Sequence, residues 1–372
     1  MIPKGLKIGL VGPLPPPSGG MANQTRQLAS LLTQEGVEVE IVQVNAPYRP
    51  QWIGSVRGIR ALFRLVPYVM QLWRVASRVQ LFHVMANSGW AWHFFAAPAI
   101  WIGKLRCVPT LVNYRGGSAE AFFVRSFFWI EPTMQLADRL IVPSGFLQQV
   151  FAKFGLKTEV VPNVIDLNRF APDPSKKTPQ SNGPQIIVTR NLESIYDIGT
   201  ALRALAIVKS MWPDVRMTVA GGGPERDMLV DLTQVLNLTL NVTFTGRLDN
   251  ERMALVYRQA DVFVNPSLVD NMPISILEAL ASGVPVVTTN VGGIPFLVEH
   301  DRTAMMVPPG DAAAMAAAIL ELLGDRAKAE RLASAGRDYV QRYNWQSVRG
   351  RLFDIYSGLV SKVQKNTVGL VR

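Results

Sequence analysis

Residues 261–298 constrain the fold more than any other stretch, because strand, loop, helix, strand and glycine loop follow one another there without a break. Asp261–Asn265 is a short apolar run suited to a buried parallel strand, ended by the turn formers of Pro266–Met272. Pro273 is expected as the first helical residue, where its missing N–H loses no bond. The helix over Ile274–Ala281 stops at Gly283, which can take the left-handed cap, and Pro285 cannot continue it. Val286–Thr289 is the next strand. A helix that starts where a parallel strand ends aims its unpaired N–H groups and positive dipole end at the crevice above the sheet. That is an anion site, most often for phosphate. Asp270 and Glu278, eight residues apart, flank it. Carboxylates in those places suit hydroxyl groups on either side of a phosphate, as in a nucleotide-sugar. Taken alone, the same pair also reads as a helix cap and a solvated helix acid.

The run Ser267, Asp270-Asn271-Met272-Pro273, Glu278-Ala279-Leu280-Ala281-Ser282-Gly283-Val284-Pro285 and Gly292-Gly293-Ile294-Pro295 resembles the donor-site signature of the retaining glycosyltransferases of family four. These are GT-B enzymes with a Glu-x7-Glu signature, whose first glutamate is aspartate here. The resemblance implies two doubly wound, Rossmann-like parallel-sheet α/β domains facing across a cleft. It implies that Asp270 contacts the donor sugar, that the loop of Asn271, Met272, Pro273 and Ile274 holds the diphosphate, and that Glu278 binds the ribose. It extends over almost the whole chain.

A chain of 372 residues suits two domains, each able to bury a core, and 48% apolar with 18% charged residues describes a globular protein. The single cysteine, Cys107, excludes an internal disulfide and fits a reducing cytoplasm. No basic stretch with an apolar core and cleavage site opens the chain, so no secretory leader is expected. The net charge of +10 is uneven: no acidic residue lies between Glu40 and Glu120, where nine arginines and lysines fall. The amino-terminal half is therefore expected to face something anionic or interfacial. No nucleic-acid motif accompanies the charge.

Lys7–Val11 reads as a strand, followed by a Pro-rich loop ending in Gly19-Gly20 and a helix to about Glu35. The family carries a similar double-glycine loop near the donor phosphates, which makes Gly19 and Gly20 candidates. Residues 57–78 have helical periodicity, with Arg57, Arg60, Arg64, Gln71, Arg74 and Arg78 on one stripe and Phe63, Val66, Met70 and Trp73 among the apolar remainder. That pattern fits a helix lying on an anionic membrane and equally a domain helix with solvated arginines. Pro67 is expected to break or kink it. Leu81–Ile102 is long and nearly uncharged, but Asn87-Ser88-Gly89 and Pro98 interrupt it. A strand and a buried helix, Trp90–Leu105, account for it without a membrane span.

Thr110–Tyr114 ends in Arg115, where many relatives have a sugar-binding histidine. The arginine either supplies charge to the leaving phosphate or an anionic acceptor, or pairs with Glu120 or another carboxylate and holds its loop. Ala171–Pro184 reads as a linker. The expected domains are thus 1–170 on the acceptor side and 185–352 for the donor, with a helix of about 353–372 returning to the first. Arg190, after the strand Gln185–Thr189, matches the family's diphosphate-gripping arginine, but Tyr196 stands where its lysine is expected. Gly222, and the backbone of Arg247 and Leu248, line the family's donor pocket. The three histidines have no second ligand at metal spacing and no Asp-x-Asp occurs, so neither a metal nor a cofactor is expected beyond the nucleotide-sugar.

The expected activity is transfer of a sugar, with retention, from a nucleoside-diphosphate sugar to a lipid-linked or polysaccharide hydroxyl, in bacterial cell-surface polysaccharide or glycolipid synthesis. The expected location is cytoplasmic, peripheral on the inner face of the plasma membrane, with no nucleic-acid partner. Two alternatives stay open: a non-catalytic nucleotide-sugar or polysaccharide-binding subunit, and a nucleotide-sugar epimerase on the same fold.

Overall fold

The structure, a computed structural model, describes residues 5–16, 19–47, 60–172 and 183–369. Arg57 of the basic stripe and 173–182 of the expected linker lie outside the described residues. The chain divides into two compact units, residues 1–163 with 348–372 and residues 164–347. The first division falls before 170 because Ile165 and Phe170 are buried in the second unit's core, with the Phe170 ring 5.8 Å from that of Tyr257.

In the first unit β1 (Lys7–Gly12), α1 (Gly20–Gln34), β2 (Glu38–Gln43), α2 (Arg60–Val75), β3 (Leu81–Ala86), α3 (Ala97–Leu105), β4 (Thr110–Tyr114), α4 (Ala119–Leu136), β5 (Arg139–Val142), α5 (Gly145–Lys153) and β6 (Glu159–Val160) alternate. The six strands are parallel in the order β2-β1-β3-β4-β5-β6, so the winding reverses between β1 and β3. Every residue of β3 and β4 is buried, as befits strands covered by helices on both faces.

A sheet face takes only one stripe of each covering helix, which leaves part of the apolar surface of α2 uncovered and corrects the expectation for 90–105. On α2 the stripe is Tyr68, Leu72 and Val75, while Phe63, Val66, Met70 and Trp73 of the expected apolar face are exposed. The expected buried helix of 90–105 is a π-helical turn, Trp92–Ala96, running into α3. Its small residues Ala96, Ala99 and Gly103 face inward with Trp92, Ile100 and Ile102, and Trp90, Phe94, Trp101 and Leu105 are exposed. Pro67 does not end α2. Pro67 and Phe63, whose carbonyl it leaves unpaired, are both exposed, so water can satisfy that carbonyl.

In the second unit β7 (Gln185–Val188), α6 (Ile198–Met211), β8 (Arg216–Ala220), α7 (Arg226–Val235), β9 (Val242–Gly246), α8 (Asn250–Gln259), β10 (Val262–Asn265), α9 (Ile274–Ala281), β11 (Val286–Thr289), β12 (Met305–Val307), α10 (Ala312–Gly324) and α11 (Arg326–Val340) follow one another. The parallel sheet runs β12-β11-β10-β7-β8-β9, reversing between β7 and β10. The last helix, α12 (Trp345–Gly369), belongs to the first unit from Val348 onward, and Trp345 at its start is half-buried rather than core.

One buried polar chain ties α12 to the first sheet. Arg115 Nε donates to Asn113 Oδ1 at 3.1 Å, so the Asn113 amide must donate to His83 Nε2, 3.0 Å away. The proton of His83 then sits on Nδ1 and donates to the Tyr356 hydroxyl of α12 at 2.7 Å. Burial, aided by Arg115, holds the His83 pKa down at about 3, so the ring is neutral at neutral pH. Tyr356→Phe should leave a buried ring N–H without its acceptor and lower the unfolding free energy by about 1–3 kcal/mol in a denaturant titration. An unchanged midpoint would refute this tie.

Candidate active site

Ligands of open α/β sheets bind at the carboxyl ends of the strands where the winding reverses. In the second unit that point lies between β7, followed by Thr189 and Arg190, and β10, followed by the loop 266–273 and α9. The loop is fixed by its neighbours: Leu268 N donates to Ile195 O at 2.8 Å, Thr289 Oγ1 to Ser267 O at 2.6 Å, and Gly293 N to Asp270 O at 2.8 Å. The second glycine loop must come this close. A Cβ at Gly292, which has φ +54°, would meet Asp270 O at 2.1 Å, and one at Gly293 would meet Asn271 O at 1.8 Å.

Pro273 is the residue before α9, not its first helical one, and its backbone is extended. Asp270 is not the cap of this helix. Its carboxylate pairs with Arg190 and accepts the backbone N–H groups of Asn271 and Met272. Burial nevertheless pushes the Asp270 carboxyl above the ordinary aspartate range, with Arg190 pulling the other way. Arg190 also donates from Nη1 to Ser275 Oγ at 3.3 Å, and its guanidinium lies 4.0 Å from the ring centre of Tyr196. The residue standing where a lysine was expected thus holds Arg190 by its aromatic face. Among the described residues the buried Arg190 Nε has no hydrogen-bond partner. An unpaired buried donor beside a helix N-terminus suits an anionic oxygen.

Glu278 lies on α9, where Tyr257 of α8 donates its hydroxyl to Oε2 at 3.0 Å. The same hydroxyl is 2.6 Å from Thr189 Oγ1 and 3.0 Å from Ser275 O. Burial pushes the Glu278 pKa up to about 7, against the Tyr257 bond and the charge of Arg190. Arg190 thus acts electrostatically on both acids, and one edge of the sheet carries Arg190, Asp270, Glu278 and the start of α9. Asn271, Met272 and Pro273 are buried there and Ile274 is half-buried. Further along the same sheet Gly222 packs under the Arg247 side chain, where a Cβ would meet Arg247 Cγ at 3.2 Å, and Leu248 is half-buried beside it.

Thr189, Ser275 and Tyr257 escaped the sequence reading. Ser275 was legible, as a hydroxyl in the first turn of a helix already assigned to an anion. Tyr257 was not, because on α8 it has the spacing of a core residue and is fully buried.

Gly19, Gly20 and Arg115 belong to the first unit. Gly19 precedes α1 and Gly20 opens it, and a Cβ at either would meet open space, so close packing does not demand glycine there. Arg115 does not pair with Glu120, which bonds Lys153 at 2.7 Å. Besides Asn113, its Nη1 donates to Gln24 Oε1 at 3.1 Å and to Asn163 Oδ1. These are neutral amide oxygens. Burial lowers the Arg115 pKa to about 10, which leaves it fully charged at neutral pH. Among the described residues it has no carboxylate partner and its Nη2 makes no hydrogen bond. A partly buried cation held by neutral groups keeps its charge available to an anion.

Residues 18–169 match the family described as Glycosyltransferase Family 4, and residues 171–339 the one described as Glycosyl transferases group 1. The chain is 30% identical over 238 residues to a GDP-mannose-dependent alpha-(1-6)-phosphatidylinositol monomannoside mannosyltransferase of Mycobacterium tuberculosis, covering 59% of this chain and 62% of that protein. The match thus spans less than two thirds of that relative. The protein of the same description from Mycolicibacterium smegmatis is 27% identical over 343 residues, 84% of this chain and 89% of its own. Among solved structures, sucrose-phosphate synthase from Thermosynechococcus elongatus superposes with a TM-score of 0.76 at 23% identity, over 96% of this chain and 100% of that one. HepE from Anabaena, in complex with UDP, gives 0.75 at 21% identity, over 95% and 100%. With matches running through both units and the two-sheet architecture shared with these structures, the chain belongs to glycosyltransferase family four and has the GT-B fold.

Proposed function

We propose that the protein is a retaining glycosyltransferase, moving a sugar from a nucleoside-diphosphate sugar to a hydroxyl of a lipid-linked or growing-polysaccharide acceptor in bacterial cell-surface synthesis. The observation that carries this reading is the convergence of Arg190, the N-terminus of α9, Asp270 and Glu278 where the second sheet reverses its winding. The two mannosyltransferase relatives named above support a nucleotide-sugar donor and a glycolipid acceptor, and the UDP bound to HepE supports the donor class.

In this reaction the bond from the sugar's anomeric carbon to the diphosphate oxygen breaks and that oxygen keeps the electron pair. The acceptor hydroxyl forms the new bond on the same face and gives up its proton to the departing phosphate. The developing charge falls to Arg190 and the N–H groups opening α9, in a site that needs no metal ion. Arg190 is held by Asp270 until a diphosphate competes for it, which frees Asp270 to orient the sugar hydroxyls. Glu278 accepts the ribose hydroxyls. A thermal-shift panel of nucleoside diphosphates tests the donor site directly, because a bound nucleotide raises the melting temperature by mass action. Transfer should persist in chelator. Glu278→Ala should weaken nucleoside-diphosphate binding by about 1.5–3 kcal/mol, whereas Asp270→Ala should spare it and lower turnover. Equal loss of affinity in both variants would overturn this division of roles.

The raised pKa of Glu278 fixes the sign of a pH effect. Below about 7 the folded protein carries this carboxyl protonated and the ribose loses its charged acceptor, so nucleotide affinity should fall as pH drops from 8 to 6. Glu278→Gln should flatten that part of the titration while keeping whatever the nucleotide's own phosphate contributes. A wild-type profile identical to that of the Gln variant would remove Glu278 from the site.

Arg115 is assigned to an anionic group of the substrates, since its charge is not spent on a carboxylate. Arg115→Ala and Arg115→His should both cut turnover at least ~10-fold, about 1.4 kcal/mol of transition-state stabilisation, with circular dichroism unchanged. Full activity in the histidine variant would show that the position needs a hydrogen-bond donor and not a fixed charge.

A further inference from the structure

In the first unit, every large apolar side chain that is exposed among the described residues lies on α2, on the turn and helix from Trp90 to Leu105, or on α4. Trp90 and Trp129 are each 74% exposed and Phe128 is 79% exposed. Single exposed apolar residues are ordinary, but such a concentration on three elements marks an interaction surface. The elements adjoin, with α3 packed against both α2 and α4. Arg106, just past α3, lies 4.7 Å from the ring centre of Trp73 on α2, and His93 meets Phe122 of α4 with ring centres 6.1 Å apart.

The charge on this surface selects the occupant. Residues 41–119 contain no aspartate or glutamate, α4 adds only Glu120, which is paired with Lys153, and Glu131, and Arg74, Lys104 and Arg125 are exposed among the aromatic side chains. Tryptophan rings with basic side chains match the headgroup layer of an anionic bilayer, where the ring sits at the boundary and the cation meets the phosphates. Among the described residues no helix is long and apolar enough to cross a membrane, so such contact would be from one side.

We propose that α2, the Trp90–Leu105 segment and α4 form one membrane-docking surface, seating the first unit in the headgroup layer of an anionic bilayer with the exposed Trp73, Trp90, Trp101 and Trp129 inserted. This rests on the proposed reaction only for its consequence, that the acceptor is reached from a lipid surface.

The test uses the full chain with vesicles of phosphatidylcholine, with and without phosphatidylglycerol, and with brominated acyl chains. The chain should sediment with the anionic vesicles at least ~10-fold more than with neutral ones, and bromine should quench its tryptophan emission. Trp101→Ser combined with Trp129→Ser should lower vesicle partitioning at least ~10-fold. The same variant should keep its melting temperature and its thermal shift with nucleoside diphosphate, because both rings are exposed and lie outside the second unit. Sedimentation without quenching, or equal sedimentation of variant and wild type, would overturn the proposal. So would a dimer in light scattering that the two substitutions abolish, since a second copy would then be the occupant. A nucleotide thermal shift without vesicle binding would refute this surface and leave the transferase reading standing.

Discussion

With Arg190 after β7 and Asp270 after β10, their ion pair joins the two loops that flank the winding reversal of the second sheet. The side chains are 11% and 12% exposed, and desolvating two charges costs several kcal/mol each. The pair's attraction is supplemented by the N–H groups of Asn271 and Met272, the Ser275 hydroxyl and the Tyr196 ring. Even so, burial outweighs Arg190 in setting the proton affinity of Asp270. A buried pair of this kind contributes little to stability, and charges perturbed in this way concentrate at functional sites. The close loop packing at Gly292 and Gly293 then acquires a reason, because it fixes the backbone that carries Asp270.

Besides Asp270, two positions depart from the family pattern, and both are tied into the structure around an arginine. Tyr196 in place of a lysine adds no charge, but its ring lies against the guanidinium of the neighbouring arginine and restricts where that charge can point. Arg115 in place of a histidine is anchored by Gln24, Asn113 and Asn163, which fix the fork without neutralising it. Through Asn113 and His83 that anchor reaches Tyr356, so a helix from the far end of the chain helps set the position of Arg115. Each unit therefore keeps one arginine close to the carboxyl end of a strand, Arg115 among neutral amides and Arg190 paired with Asp270.

The same geometry that buries the first sheet leaves its helices unequal. Alanine and glycine on α3 let that helix lie close on the strands beside the buried Ile100 and Ile102, while Trp101 and Leu105 turn outward. On α2 the inward stripe is aromatic and aliphatic, and a second apolar ridge remains beyond it. A composition rich enough to cover both faces of a helix covers only one, and the excess becomes surface.

The sequence alone determined the strand, loop, helix and strand of residues 261–289, the glycine and proline punctuation around α9, and the spacing of Asp270 and Glu278, because these depend on residues close together in the chain. It also placed Arg190 at a strand end. It could not show that Asp270 is tied to Arg190, that Tyr257 holds Glu278, or that Arg115 rests on Gln24 and Asn163, since those partners lie far apart in sequence and meet only when the strands take their order in the sheets. Nor could it tell which stripe of α2 and α3 is buried. Apolar residues lie on more than one side of each, and periodicity ranks faces by hydrophobicity, while the tertiary structure chooses between them by which one packs closest on the sheet.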